Sequence, residues 1–509
     1  VVTFQGIESC LLKGFTITGG TGEPHFQHPH TVGGGIYCLS SSPTISECAI
    51  IGNSAVWGGG ICIDSGSSPR IEKCTFSGNS ATDGGAVFCY EGTQPVFETS
   101  TVFDNEALWH GGGACCYSRP LFAGCEFARN RAGSSYGGGG IYSKADSNIR
   151  VLNCTAADNS CPGAGEGIET EEGSSIEIVN SIVWGNGSTD AVLRGALSVR
   201  YCDIRDTTLQ GQNGNLSVDP LFSNRGKGDY HLLPKSPCID RGLNGLVDVP
   251  EKDIDGDLRT VGTGIDIGAD EHDPEAVFLN IDGHEQRDGG LVTIHYTLWN
   301  ALSRPCSVST EYSSDDGRLW YHATRAEGSE PTIERSSSPE GQSHTYVWDS
   351  IADVGAGGSF RFKMVPVGGT RSYFVPTEPF NVDNSTVDTD GDKLPDAWER
   401  QYFGDLTQAG DGDFDGDGQS NLREYLQGTN PADPGSLLIL TCQQGEAGTF
   451  LVSWLSSGRK YYTLYCCDRM GDQWHPLGPA FAGSGSLLQH RDDTLTGATR
   501  QRFYLLETY

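Results

Sequence analysis

An all-β protein that begins as a right-handed parallel β-helix is predicted by three observations. Six asparagines, Asn53, Asn79, Asn105, Asn130, Asn159 and Asn186, recur at intervals of 25 to 29 residues. A GGGIY-like string recurs in phase with them at 33–37, 58–62, 84–88, 111–115 and 138–142. Between these marks lie only short runs of alternating apolar and polar residues, such as IYC at 36–38 and CAI at 48–50, with nothing long enough for a helix. One supersecondary unit per period, unable to bury its apolar face until a neighbour stacks on it, is the mark of a solenoid.

Each element of the coil has a reason. Glycine triplets and the SSP and GNSA strings are turns. Asn suits a turn because it tolerates the left-handed backbone, and in register its amide can bond the Asn of the next coil. The fifth residue before each Asn gives the column Cys48, Cys74, Ser100, Cys125, Cys154 and Ser181; two places on come Ile50, Phe76, Val102, Phe127, Ala156 and Val183. Both should face inward, with Phe15 and Ile17 as the equivalent pair in an earlier coil and Cys202 with Ile204 in a later one, so that about eight coils are readable. A second inward column runs Cys38, Ile63, Cys89, Cys116 and Ser143. Cysteines spaced for rung-to-rung stacking pack as small hydrophobes and do not follow a zinc pattern. Their number, 17, is odd, so oxidation would leave at least one thiol free or bonded to another chain.

After about residue 272 the coil repeat ends. From Ala276 the period-2 pattern continues in VTIHYTLW (292–299), YSSDDGRLW (312–320), HTYVWDS (344–350) and FRFKMVPV (360–367), the signature of an immunoglobulin- or fibronectin-III-like β-sandwich. Trp299, Trp320 and Trp348 are expected to pack within it. Residues 436–509 read as strands again, in SLLILTC, TFLVSWLS, KYYTLYCC and QRFYLLET, and predict a small C-terminal β-sandwich. The expected organisation is therefore a β-helix with an irregular closure over 1–272, a sandwich over 273–384, a calcium module over 385–435 and a second sandwich over 436–509.

The calcium module is the sharpest chemical signal. Asp413, Asp415, Asp417, Gly418, Gln419, Asn421 and Glu424 occupy positions 1, 3, 5, 6, 7, 9 and 12 of a loop that would wrap a hard cation in six or seven oxygens, with Gly at the sharp turn. Glu424 should supply two oxygens from the following helix. Asp388, Asp390, Asp392, Leu394 (by its carbonyl), Asp396 and Glu399 repeat that spacing upstream, although Lys393 stands where Gly is usual. The metal expected is Ca²⁺, held structurally and stiffening the joint between two β domains.

Two motif sets carry a resemblance. GFTITGG, the GGGIY repeats, SSPTI and GNSA, followed by DPLF (219–222), SPCIDRG (236–242), DIDGDLR (253–259) and DIGADE (266–271), resemble the parallel β-helix domains of large secreted or surface-anchored bacterial proteins; the repeats are also similar to those of polymorphic outer-membrane proteins. DTDGDKLPDAWE and DGDFDGDGQSNLREYLQGTNP resemble the dockerin-like and thrombospondin-type-3-like calcium modules of secreted bacterial proteins. These resemblances imply a bacterial cell exterior and families seldom assigned a reaction.

Composition agrees with that setting. There are 66 acidic and 34 basic residues, a net charge of −32, which makes nucleic acid an improbable partner. No apolar run is long enough to span a membrane. No signal peptide is seen and Val1 already lies in apparent strand, so processing or truncation of an upstream portion is expected. An uncovered first coil and the apolar final strand Phe503–Leu506 together suggest head-to-tail contact between copies, whose default product is a filament.

For ligands, the turn before the glycine triplets carries Trp57, then Trp109 and His110, then Tyr136, a row suited to stacking on a polysaccharide or cell-surface glycan. The same rings could instead shield the turn. His25, His28 and His30 could ligate a transition metal or form a flexible His-rich loop. Many β-helices are polysaccharide lyases or hydrolases, but the candidates Asp64, Asp83, Asp104, His110 and Arg119 fall in different columns and build no two-carboxylate pair. The expectation is a non-catalytic structural or adhesive protein of the bacterial surface, with a carbohydrate-active lyase or hydrolase as the alternative.

Overall fold

The computed structural model describes residues 1–135, 137–163, 165–287, 289–444, 449–458, 460–469, 473–494 and 502–508. Each coil contributes one strand to each of three parallel sheets, as Ile36–Leu39, Thr44–Ser46 and Ala49–Ile51 do in the second coil. All three sheets have eight strands, ordered along the stack. The first runs from Val2–Gln5 to Ala191–Val192, the second from Leu11–Lys13 to Ala196–Arg200, and the third from Thr16–Thr18 to Asp203–Ile204. A shorter three-stranded sheet, Ser80–Asp83, Glu106–His110 and Arg131–Ala132, lines the arc between the third sheet and the first.

Register carries the interior columns as the repeat predicts. Ile50 pairs Phe76, Phe76 pairs Val102, Val102 pairs Phe127 and Phe127 pairs Ala156, all buried. Cys38, Ile63, Cys89, Cys116 and Ser143 form the second column, also buried. None of the cysteines is in a disulfide, and those of the coil interior behave as small apolar side chains. Where Ser replaces Cys the hydroxyl accepts a backbone amide, as from Cys74 to Ser100 at 3.1 Å. Phe15 departs from expectation: its carbonyl is in register with Cys48, accepting from Ala49, but its ring is 58 % exposed. Only Ile17 of that pair packs on the core.

The asparagines stack at one turn, and each amide is used fully. Nδ2 of Asn53, Asn79, Asn105, Asn130 and Asn159 donates to Oδ1 of the next Asn at 2.8–3.0 Å. The same Oδ1 accepts the backbone amide of the preceding Asn, and Nδ2 also donates to a carbonyl of the preceding coil. Their backbones are not left-handed, contrary to expectation. The left-handed residue is the one just before: Gly52 (φ +64°), Gly78 (+61°), Asp104 (+56°), Arg129 (+53°), Asp158 (+56°) and Gly185 (+75°). The physical division is clear. The bend costs a non-Gly residue about 1–2 kcal/mol and sits where the side chain leaves the coil, whereas the buried ladder needs Asn for its amide.

The glycine triplets are required by close approach. A Cβ on Gly59, Gly85 or Gly112 would lie 2.4 Å from a backbone oxygen of the next coil, so any side chain there would part the stack.

The closure is built from buried acids that accept backbone amides. Asp266 takes Asp240 and His272, Asp253 takes Asp255, Asp257 and Glu271, and Asp270 takes Leu232. Arg259, 3 % exposed, donates to the carbonyls of Gly268 and Ala269. The DIDGDLR and DIGADE strings thus clasp each other across the outer side of the third sheet, where Thr155 Oγ1 accepts the amide of Ala269.

Two four-stranded sheets follow. One is ordered Gln342–Asp349, Leu291–Trp299, Val277–Arg287, Ser372–Phe374; the other Tyr321–His322, Ser307–Ser313, Gly357–Val367, Phe380–Asp383. Ile294, Tyr296, Tyr346, Trp348, Phe362 and Met364 fill the space between them. Trp348 is wholly buried, and Trp320 is covered by Lys363 Nζ, 4.4 Å from its ring centre. The C-terminal strands form two further small sheets around Val452, Trp454, Tyr462 and Leu464. The final strand, Phe503–Thr508, pairs within its own sheet with Tyr461–Cys467. Three short α-helices lie among the described residues: α1 (Ser350–Val354), α2 (Asp396–Tyr402) and α3 (Asn421–Gln427). Among the described residues no helix is long and apolar enough to cross a membrane.

Candidate metal loops and aromatic cleft

The two acidic loops repeat each other bond for bond. Asp388 Oδ1 accepts from Gly391 at 2.7 Å and Asp413 Oδ1 from Gly416 at 2.8 Å. Oδ2 of the same two residues accepts from Lys393 and Gly418, both at 3.0 Å. Asp392 holds the amide of Leu394 as Asp417 holds that of Gln419. These bonds bend each chain segment so that Asp388, Asp390 and Asp392, and likewise Asp413, Asp415 and Asp417, bring ligand atoms within 4.8 Å of one another.

Each loop is closed by the glutamate of its helix. Glu399 on α2 and Glu424 on α3 are both fully buried. Neither oxygen of Glu399 has a hydrogen-bond partner, nor has Oε2 of Glu424, Oδ2 of Asp392, Asp415 or Asp417, or Oε1 of Gln419. A buried carboxylate without donors is costly. Burial and then the neighbouring aspartates push both glutamates up to about 7. A divalent cation would satisfy these oxygens, and the all-oxygen donor set suits Ca²⁺.

The ninth positions do different work from that expected of them. Asp396 accepts from the amide and hydroxyl of Thr389, and Asn421 Oδ1 from the amide of Phe414, so these side chains brace the loops from within. Leu394 is buried with its carbonyl at the seventh position of the loop. Lys393 takes the glycine conformation, φ +77°, against +93° at Gly418.

The second site lies on the outer face of the first sheet. There Tyr37, Cys62, Phe88, Cys115 and Tyr142, with Leu39, Tyr90 and Tyr117, form an apolar layer outside the coil, and the buried carboxylate of Asp64 stands in register with Leu39. A cleft of about 540 Å³ opens over it, bounded by His30, Trp57, Tyr90, Trp109 and Tyr117. The expected aromatic row is not one exposed strip. Trp57 stacks on Phe88 with centroids 5.6 Å apart and is walled in by His25, His28 and His30. Trp109 is 54 % exposed and forms the opposite rim. Tyr136 lies outside the described residues.

The histidines form a packed lid. His25 Nε2 donates to Asp64 Oδ2 at 3.0 Å while its Nδ1 accepts from Gln27, and Tyr37 donates to the same Asp64 oxygen. Both ring nitrogens of His25 are therefore occupied, and the three histidines do not form a metal-sized group. Of the acid–base candidates, Asp104 is paired with Arg129 and Arg119 lines a neighbouring cleft of about 530 Å³ with Lys144.

Asp83 and His110, assigned to different columns, are adjacent. His110 Nδ1 meets Asp83 Oδ1 at 2.7 Å, and its ring stacks on Tyr142 at 4.6 Å. An extra residue between Ala107 and His110, opposite Ala81 to Asp83, shifts the count from the Asn ladder by one. Counting back from the glycine triplets would have aligned them, since each immediately precedes its first glycine, as Trp57 does. A third cluster, His231, Asp255 and Asp270, went unrecognised because its parts come from separate segments of the closure.

The fold is that of a right-handed parallel β-helix, with β-sandwich sheets in the C-terminal part. Residues 34–208 match the family model described as a right handed beta helix region. Compared with curated proteins, the chain has no significant match.

Proposed function

We propose that this protein is a non-catalytic structural or adhesive protein of the bacterial cell exterior, stiffened by two Ca²⁺ ions and presenting the aromatic cleft to a glycan. The observation that carries the reading is the pair of duplicated loops, each aiming a fully buried glutamate with unpartnered oxygen at three aspartates. Asp388, Asp390, Asp392 and Glu399 would hold one ion together with the Leu394 carbonyl. Asp413, Asp415, Asp417, Gln419 and Glu424 would hold the other. Extracellular modules of this kind bind at about 10⁻⁴–10⁻³ M, so millimolar calcium outside a cell would fill them.

Calcium would also set the C-terminal sheets in place. Lys460 Nζ donates to the carbonyl of Tyr425 at 3.0 Å and Ser457 Oγ to that of Gly428, so the end of α3 is capped by the C-terminal unit. For the glycan, Trp109 offers a free ring across the cleft from Tyr90 and Tyr117. Calorimetric titration of calcium, and a glycan array read with and without Trp109→Ala, test the two halves separately.

One observation favours the lyase or hydrolase alternative: the Asp83–His110 pair at the rim of the cleft could move a proton. A screen of polyuronides for new unsaturated ends, repeated with His110→Gln, distinguishes it from binding alone.

A further inference from the structure

The cleft over the first sheet is walled by rings at several angles. Five aromatic residues, Trp57, Phe88, Tyr90, Trp109 and Tyr117, line its space of about 540 Å³. Trp57 lies nearly parallel to Phe88, at 11°, but at 49° to Tyr90, and Phe88 lies at 55° to Tyr117. A flat sugar ring lies against one platform at a time, whereas a rounded group can meet several tilted faces at once. Every such face is the negative pole of an aromatic quadrupole.

The one carboxylate on this wall is Asp83. Trp57, Asp83 and His110 hold one position in three successive coils, so Asp83 stands directly beside the Trp57 rung. It is 5 % exposed. His110 occupies its Oδ1 at 2.7 Å, while Oδ2 takes no hydrogen bond among the described residues. Half of a buried carboxylate is therefore left for whatever enters the cleft.

The surrounding field has the same sign. Burial and then Asp64 and Glu91 push the Tyr90 phenol up. At Tyr117 burial acts first, and Asp83 and Glu171 add to it. Tyr117 already carries a cation: Lys144, which belongs to the neighbouring cleft, places Nζ 4.3 Å from its ring centre. Apart from the rings the wall offers Val56 and Leu108, with His30, Thr82 and Asp83 as its polar members. A primary ammonium needs acceptors for three N–H groups and would find few here. An alkylated ammonium spreads its charge over methyl groups and needs none.

We propose that the aromatic cleft takes a ligand bearing an alkylated ammonium group of choline type, with the cation among the rings and Asp83 as its counter-charge. This rests on the reading of the cleft as the ligand site and names what the bound glycan carries.

Titration of the full chain at pH 8 and fixed calcium, where an ordinary imidazole is neutral, tests the proposal. The probes are choline and 3,3-dimethylbutan-1-ol, which has the same shape without the charge. Choline should bind saturably, and the alcohol at least about tenfold more weakly. Asp83→Asn should reduce choline to the level of the alcohol and leave the alcohol unchanged. Trp109→Leu, on the exposed rim, should weaken choline more than the alcohol even if Asp83→Asn fails to fold. Equal affinity for the two probes, no binding of choline, or an Asp83→Asn variant that keeps the parent's preference would overturn the proposal. A glycan array carrying the same backbones with and without choline separates it from the broader reading. Retention of unsubstituted glycans through Trp109, with choline failing to compete, would overturn this inference and leave that reading standing. Choline binding with no retention of any glycan would do the reverse.

Discussion

Asn105 Oδ1 lies 2.9 Å from Nδ2 of Asn79 and 3.0 Å from its backbone nitrogen, so one buried oxygen satisfies two donors of the coil below. Replacing Asn105 by Leu strands those donors together with the carbonyls of Phe76 and Phe103, to which Asn105 Nδ2 donates. The expected loss is about 2–4 kcal/mol in urea unfolding followed by circular dichroism. Asn105→Asp should recover part of it, because the acceptor remains while the donors are lost.

Trp57 and Trp109 face one cleft but should respond oppositely to truncation. Trp57 is packed between Phe88 and the histidine lid, so Trp57→Ala is expected to cost about 3 kcal/mol of stability. Trp109→Ala should change the melting temperature little and abolish glycan retention. Loss of binding in neither variant would place the ligand surface elsewhere.

Asp492 should set the acid limit of the C-terminal sheets. It is fully buried; burial would raise its carboxyl, but Thr494, Arg502 and Tyr504 hold it at about 2. Its folded pKa is depressed, so its contribution is complete above the unfolded value near 3.9 and disappears as pH falls through about 2. Asp492→Asn should therefore destabilise this unit by about 2–3 kcal/mol at pH 7 and hardly at all at pH 2. Unfolding monitored by Trp454 fluorescence at the two pH values checks it.

Periodicity made the coil legible, because stacking forces identical turns into identical columns: Asn53 through Asn186 and Ile50 through Val183 could be aligned by counting. What counting could not yield was conformation and insertion. The left-handed bend belongs to Gly52 and Asp104 rather than to the adjacent Asn, since composition alone does not say which residue of a GN pair turns. One extra residue between Ala107 and His110 hid the contact of His110 with Asp83. Spacing likewise marked the acidic loops, but only the fold distinguishes glutamates that aim free oxygens inward from Asp396 and Asn421, which brace the backbone. The His231 cluster was illegible because His231, Asp255 and Asp270 come from separate segments of the closure, and no local pattern links Asp255 to Tyr373 of the sandwich.

Calorimetric titration of the metal-stripped chain with calcium tests the central claim most directly, carried out on the parent and on Glu399→Gln and Glu424→Gln. The parent should bind two ions per chain, each glutamine variant one, and calcium should raise the unfolding temperature of the C-terminal sheets while leaving the β-helix transition in place. A parent that takes up no calcium at millimolar concentration, or glutamine variants that bind as the parent does, would contradict the account.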